Sequence, residues 1–256
     1  MATLAAIGVA LGLLLGILGG GGSILTVPAL VYVAGIAPKS AIAMSLAIVG
    51  VTSAVGAVQQ WRAGAVAFRP VAGFAVATML GAFVGGRASA WVRADVQLLL
   101  LAAVMLASAT AMWRGPVTAR ADRARSASPT LLAATGLSVG VLTGIVGIGG
   151  GFVIVPALVV LAGLPMPTAI GTSLAVIAVN SAAGFAGVSR GVVVDWMATS
   201  VATAAAVGAV LVGARVGRRL SAGQLRTGFA AFLVLVAIFL LWKNRAAFGL
   251  PVHNGP

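Results

Sequence analysis

Two runs of glycine carry the residues best suited to chemistry in this sequence. They lie at 19–23 and 147–151, inside otherwise apolar stretches. Because each glycine costs up to about 1 kcal/mol relative to alanine in a helix, consecutive glycines predict a break there. A helix that restarts after the break exposes unpaired N–H groups and a partial positive charge, which suit an anion. The candidate anion-binding residues in the two runs are Gly21, Gly22, Ser23, Gly149, Gly150 and Gly151.

Polar side chains inside the apolar stretches that follow form a second group of candidates. Residues 45, 52 and 59 are spaced by seven and therefore share one helix face, as do residues 173 and 180. Their hydroxyl and amide donors could replace part of an anion's hydration shell. The alternative is hydrogen bonding between helices, worth about 0.6 kcal/mol on average in membranes. The polar candidates are Ser45, Thr52, Ser53, Gln59, Thr172, Ser173, Asn180 and Ser181.

Four arginines lie near the ends of apolar stretches in matched pairs. Arg62 and Arg190 follow the polar faces, where a guanidinium could offer a fork of donors to an anion that enters or leaves. The alternative is that these side chains reach for lipid headgroups, which is the ordinary role of an arginine at a membrane helix end. We expect that ordinary role for Arg87 and Arg215.

Several mechanisms lack the residues they would need. The chain has no cysteine and no glutamate, its three aspartates are at 95, 122 and 195, and its one histidine is His253 in the polar tail. A carboxylate proton relay inside the membrane therefore has no obvious residues. The glycine runs also lack the lysine of a phosphate-binding loop, and a hydrolytic dyad or metal group has no members. We expect no enzymatic activity, no metal and no cofactor.

The composition places these residues in a lipid bilayer. The chain is 61% hydrophobic and 7% charged, with a mean hydropathy of +1.16. A soluble domain of 256 residues could not bury so much apolar surface. The net charge of +13 would indicate nucleic acid in a soluble protein. Here the basic residues lie between apolar stretches, so we expect membrane lipid and no nucleic acid as partner.

The pattern predicts an all-α polytopic membrane protein with about eight hydrophobic spans. The first apolar stretch has no basic segment before it, so we expect no cleaved signal peptide. The stretch 4–35 would be about 48 Å long as one helix, which is too long for a single crossing. Two half-helices that meet inside the membrane are the natural interpretation. The predicted spans are 4–35 (broken at 19–22), 40–60, 70–92, 96–113, 130–163 (broken at 147–151), 168–188, 196–214 and 224–242.

The chain is a tandem duplication. Residues 8–62 align with 136–190 at an offset of 128, and 25 of the 55 positions are identical. We assign 1–113 to the first repeat, 114–129 to a basic cytoplasmic linker, 130–243 to the second repeat and 244–256 to a polar tail. Interrupted apolar segments at corresponding places in two repeats are the best sequence indication of a transporter's substrate site.

The orientation of the two repeats depends on whether the broken segment crosses the membrane. If it crosses, the repeats are parallel and the basic residues divide nine to seven between the two sides. If it returns to its own side, the repeats are inverted and the division is ten to six. The positive-inside rule favours inverted repeats modestly and places the linker in the cytoplasm.

These motifs resemble the TauE/SafE family of sulfite exporters and sulfonate permeases. The resemblance rests on two ordered copies of Gly-x-Gly-Gly, Pro-Ala-Leu, Ser-Leu-Ala and Ser-Ala, and it extends over about 4–243. It implies a bacterial inner-membrane carrier of small anions, often sulfur oxyanions or organosulfur anions, without an ATPase of its own. The first copy departs at Val66-Ala67-Phe68, where the second has Val-Val-Asp195, so any role of that aspartate belongs to one half.

We therefore expect a secondary transporter for a small anion, such as sulfite or a sulfonate, that works by alternating access. One repeat would rock against the other around a central site. A passive anion channel and a membrane scaffold without transport remain as alternatives. A second copy of the chain is left open as a partner, and the identity of the anion, the direction and the coupling ion are not determined by the sequence.

Overall fold

The computed structural model describes the chain except residues 90, 93, 115–128, 147–150, 162, 189–192 and 244–256. The predicted tail and most of the predicted linker are therefore outside the described residues. Every regular element in the described part is a helix. The helices are α1 (Ala2–Leu18), α2 (Gly21–Pro28, continued as a π-helix over Ala29–Val33), α3 (Pro38–Arg62), α4 (Phe68–Ser89), α5 (Ala94–Arg114), α6 (Pro129–Val146), α7 (Gly151–Pro156, continued as a π-helix over Ala157–Leu161), α8 (Met166–Val188), α9 (Trp196–Arg219) and α10 (Ala222–Lys243).

The first apolar stretch folds as a hairpin inside the bundle. Helix α1 ends where Gly19 adopts φ +76°, and the Gly19 N–H donates to the Leu15 carbonyl at 2.8 Å. Gly22 then lies against Leu11 and Leu15, so α2 starts beside the last turns of α1. Leu30 at the far end of α2 belongs to the same apolar cluster as Leu4. Helix α2 therefore runs back toward the start of α1, and the predicted break at 19–22 is present.

A proline directly precedes the wide turn in both short helices. Pro28 and Pro156 each end a short α-helical segment, and a π-helical segment follows. Proline lacks an N–H and clashes with the carbonyl four residues earlier, so the ladder of hydrogen bonds shifts there. The Ile36 N–H reaches the Leu30 carbonyl at 3.0 Å, and at the equivalent place the Leu164 N–H reaches the Leu158 carbonyl at 2.9 Å. The duplication thus extends to local backbone geometry.

The two repeats exchange their first helices. Helix α1 packs along α9 of the second repeat, and α6 packs along α4 of the first. A Cβ added to Gly12 would overlap the Ala206 carbonyl oxygen, and one added to Gly140 would overlap that of Thr78. Residues 8, 12 and 16 of α1 meet residues 202, 206 and 210 of α9 in the same order, so these two helices run in the same direction. Small residues allow this close approach because the dispersion contact needs the backbones near each other.

Helices α3 and α8 form the central contact between the repeats. A Cβ at Gly50 would lie 3.2 Å from Ser181 Cβ, and a Cβ at Gly56 would lie 3.1 Å from Leu174 Cδ1. At the other end, a Cβ at Gly184 would lie 3.3 Å from Leu46 Cδ2. Positions that rise along α3 therefore meet positions that fall along α8. The two helices are antiparallel, although they are equivalent elements of the two repeats.

The membrane character of the helices agrees with the composition. By length and composition, four helices in the described residues could cross a membrane; they cover Lys39–Arg62, Met166–Ala186, Trp196–Arg219 and Ala222–Trp242. The remaining described apolar stretches are shorter. The all-helical fold is therefore confirmed, and the number of eight spans stays a prediction.

Candidate functional site

The tips of the two short helices meet inside the bundle. A Cβ added to Gly151, at the start of α7, would lie 2.5 Å from Ser23 Oγ at the start of α2. A Cβ added to Gly20 would overlap the Gly151 carbonyl oxygen. Ser23 and Gly151 are equivalent positions in the duplication, because their numbers differ by 128. The predicted convergence of the two glycine runs is therefore present where they are described, and it requires residues without side chains.

Helix α8 forms one wall beside these tips. A Cβ at Gly19 would lie 2.9 Å from Ser173 Oγ, and a Cβ at Gly151 would lie 2.9 Å from Ile177 Cδ1. Gly21 faces the ring of Phe232 from α10, with an equivalent distance of 2.9 Å to Cε1. The surroundings of the tips are thus mostly apolar, with Ser173 as the polar side chain placed against Gly19.

Three predicted serines donate their hydroxyl protons to their own helices. Ser23, Ser45 and Ser173 bond to the carbonyl oxygens of Gly20, Ile42 and Ile170, each at 2.8 Å. Such bonds satisfy local carbonyl groups, and a hydroxyl used in this way presents lone pairs to its surroundings. Each serine would have to rotate before it could donate to an anion.

Three other predicted residues retain unused polar atoms. Thr52 Oγ1, Ser53 Oγ and Asn180 Oδ1 are buried and have no hydrogen-bond partner among the described residues. Thr52 and Ser53 are fully buried, with 0% exposure. Most buried polar groups are paired, so each of these atoms needs an explanation. Thr52 and Asn180 are equivalent positions in the two repeats, and they lie in the middle of the antiparallel pair α3 and α8.

Two predicted residues of α8 have packing roles. Thr172 Oγ1 accepts a hydrogen bond from the Ala67 N–H at 3.2 Å, which holds the segment between α3 and α4 against α8. Ser181 is buried and lies against Gly50 of α3. Both contacts join the two repeats.

Gln59 and Arg62 lie in a cleft at the end of α3, away from the helix tips. Arg62 is ten residues beyond Thr52, which corresponds to about 15 Å along the helix. The cleft has a volume of about 450 Å³ and opens between α3 and α9. Its lining is Ala54, Val55, Val58, Gln59, Arg62, Leu211 and Arg215.

Sequence reasoning missed two polar residues near these sites. Gln60 is almost fully buried, and its Oε1 atom has no hydrogen-bond partner among the described residues. Arg215 was assigned only to lipid headgroups, yet it lines the same cleft as Arg62. The signal for Arg215 is its position one turn before the end of α9, but only packing brings it next to α3.

Some predicted features lie elsewhere. Gly149, Gly150 and Arg190 are outside the described residues. Asp195, which the first repeat lacks, caps the start of α9 by accepting the Ala198 N–H at 2.9 Å. Among the described residues there is no group of three or more histidine, cysteine or acidic side chains that could hold a metal.

Apolar helices with two re-entrant tips in contact define a polytopic helical membrane protein of the transporter class. The sequence profile described as "Sulfite exporter TauE/SafE" matches residues 4–240, and the chain belongs to this family of membrane transporters rather than to an enzyme family. Two proteins from Xylella fastidiosa are similar to it, one from strain Temecula1 and one from strain 9a5c. They are 33% and 32% identical over 245 residues, which is 92% of this chain and 93% of each relative, and both are named "Probable membrane transporter protein". No solved structure matches the chain significantly.

Proposed function

We propose that the protein is a secondary transporter for a small anion, with sulfite or a sulfonate as the substrate class. The observation that carries this proposal is the contact between the tips at Ser23 and Gly151 beside two helices that keep unpaired polar atoms. The start of α2 offers backbone N–H groups at its first turn, and the start of α7 offers them from the opposite repeat. The central site comprises the described tips, Ser173, and the middle of α3 and α8, with Thr52, Ser53 and Asn180.

Inverted repeats are part of this proposal. Equivalent helices of parallel repeats would run in the same direction, whereas α3 and α8 are antiparallel. Arg62 and Arg215 line one cleft, although parallel repeats would place them on opposite sides of the membrane. With inverted repeats, the end of α3 and the end of α9 share one side, where most basic residues also lie. By the positive-inside rule that side is the cytoplasm, and the membrane is the bacterial inner membrane.

The contact between the tips indicates how a transport cycle would proceed. Because Gly20 and Gly151 touch through their backbones, an anion has no space between them in this conformation. Binding requires the two repeats to separate at this contact, so that N–H groups of both tips face the same anion. Rocking of one repeat against the other would open the site to each side in turn.

Flux measurements with the purified chain in proteoliposomes test this proposal. Uptake of sulfite or taurine should saturate with concentration, and preloaded unlabelled substrate should accelerate entry of labelled substrate. A passive anion channel would show neither saturation at low millimolar concentration nor counterflow. Comparing flux with and without a pH gradient would identify proton coupling.

The scaffold alternative is tested by Asn180. Its Oδ1 atom has no partner among the described residues, so Asn180→Ala removes no internal hydrogen bond through that atom. We expect normal expression and at least about tenfold lower flux, since a lost hydrogen bond to a charged ligand is worth roughly 1.5–3 kcal/mol. Unchanged flux in this variant would contradict the proposed central site.

A further inference from the structure

We propose that the cleft between α3 and α9 is a binding site for an anionic phospholipid, with phosphatidylglycerol as the simplest ligand of this class. The cleft, defined by the seven lining residues given above, is separate from the central site at the helix tips. The inference does not depend on what the protein transports. It rests on the charge, the shape and the exposure of the cleft.

The charge of the cleft is positive and is not balanced by a described acid. Arg62 and Arg215 contribute two guanidinium groups, and both side chains are exposed. Asp195 is the one acidic side chain that the structure describes, and it caps the opposite end of α9. Along the helix, twenty residues separate Asp195 from Arg215, which corresponds to about 30 Å. A phosphate placed between the two arginines would supply the missing negative charge.

The arginine donors are available to such a phosphate. Arg215 uses one N–H group on the Leu211 carbonyl of its own helix at 3.3 Å. The same carbonyl accepts the amide N–H of Gln59 at 3.2 Å, which joins α3 to α9 at the base of the cleft. A guanidinium has five N–H donors, so the Arg215 side chain keeps others for a ligand.

The shape of the cleft distinguishes a lipid from a soluble anion. Below the arginines, its walls are Ala54, Val55, Val58 and Leu211. From Arg62 to Ala54 the cleft follows α3 for about 12 Å, which reaches from a headgroup into the hydrocarbon. Ala54 is exposed and Val58 is 45% exposed, so the cleft opens on the perimeter of the bundle. A phosphate at the mouth and an acyl chain along these walls match this arrangement, whereas a small soluble anion has no use for the apolar part.

Native mass spectrometry of the full chain in detergent, after delipidation, tests the proposal. The probes are phosphatidylglycerol and phosphatidylcholine with identical acyl chains. The variants are Arg62→Gln/Arg215→Gln and, as a matched control, Arg87→Gln. Arg87 is also an exposed arginine near a helix end, but it lies over the ring of Phe83, 4.7 Å from its centre, and outside the cleft.

We expect phosphatidylglycerol to bind about 30-fold more tightly than phosphatidylcholine, because each basic residue near an anionic lipid contributes roughly fivefold. The double variant should lose this preference, and the Arg87→Gln variant should keep it. Melting temperatures of the variants distinguish lost binding from lost folding. Equal binding of the two lipids, or an unchanged preference in the double variant, would overturn the proposal.

A competition experiment separates the lipid from a soluble oxyanion. Glycerol phosphate carries the same headgroup chemistry without acyl chains, so at millimolar concentration it should not displace phosphatidylglycerol. Displacement would assign the cleft to soluble anions and reject the lipid. Because lipid binding is measured without flux, failure of this inference leaves the transport proposal untouched, and the reverse also holds.

Discussion

At the scale of single residues, unused hydrogen-bonding capacity distinguishes candidates that bind from those that only pack. Ser23, Ser45 and Ser173 donate to carbonyls of their own helices. Thr52 and Ser53 are equally buried, but their hydroxyls have no partner among the described residues. A buried polar atom without a partner costs about 1–3 kcal/mol, so a ligand or water is the natural reason to retain it.

Replacing Thr52 with valine tests this distinction. Thr52→Val keeps the shape of the side chain and removes the unpaired hydroxyl, so we expect an unchanged or slightly higher melting temperature. Flux should fall about tenfold, which corresponds to one hydrogen bond to an anion. Thr78→Val is the matched control, because the buried Thr78 hydroxyl already donates to the Phe74 carbonyl at 2.7 Å. If Thr52→Val transports as well as Thr78→Val does, Thr52 does not contact the substrate.

Asp195 is a residue whose role the structure decides. It is the acidic side chain that interrupts the equivalence of the two repeats, and it accepts the Ala198 N–H as a helix cap. We expect Asp195→Asn to retain stability, because asparagine caps helices as well as aspartate does. Asp195→Ala should cost about 1 kcal/mol, measured as a lower melting temperature. If Asp195→Asn abolished flux while the melting temperature was unchanged, the carboxylate would have a role in transport beyond capping.

At the scale of elements, the exchanged pairs α1 with α9 and α4 with α6 hold the repeats together. Their glycines lie directly against carbonyl oxygens of the partner helix. Close contact of this kind is how membrane helices associate, because lipid tails supply no hydrophobic driving force between helices. These pairs therefore carry stability, while the short helices α2 and α7 carry the candidate site.

The pair α1 and α9 provides a matched test with two glycines. A Cβ at Gly12 would overlap the Ala206 carbonyl, whereas a Cβ at Gly208 of α9 meets nothing within 4 Å. We expect Gly12→Ala to destabilise the protein by about 1–3 kcal/mol through overpacking. Gly208→Ala should be neutral or stabilise by up to about 1 kcal/mol through helix propensity. Melting curves in detergent measure both changes, and equal melting temperatures for the two variants would contradict the close α1–α9 packing.

At the scale of the whole molecule, the direction of each helix determines which loops share a side of the membrane. With inverted repeats, the loop after α3 and the loop after α9 lie on one side, and the loop before α9 lies on the other. With parallel repeats, the loop after α3 and the loop before α9 would share a side, because residues 63 and 191 are equivalent positions.

Single cysteines measure this arrangement directly, since the natural chain has none. Ala63, Val193 and Ser221 are exposed positions in three different loops. In intact cells, a membrane-impermeant thiol reagent should label Val193→Cys and should label Ala63→Cys and Ser221→Cys only after the membrane is opened. The unsubstituted chain is the control for background labelling. Labelling of Ala63→Cys and Val193→Cys from the same side would contradict inverted repeats.

The sequence by itself determined the local features of this protein, because they depend on composition and on nearby residues. Hydropathy alone predicted the helices over 40–60 and 168–188, and the structure has them at Pro38–Arg62 and Met166–Val188. The break at 19–22 follows from backbone preferences of glycine, which act within a few residues. The duplication at an offset of 128 and the membership of the TauE/SafE family likewise follow from the order of residues.

Only the tertiary structure decided which residues meet. Helix periodicity placed residues 45, 52 and 59 on one face, but it could not say that the Ser45 hydroxyl is used locally while that of Thr52 is unpaired. It also could not bring Arg215 to Arg62, because these residues are 153 positions apart and meet only through the packing of α3 against α9. Contacts between distant segments depend on how helix surfaces fit together, and periodicity within one segment carries no information about its partner.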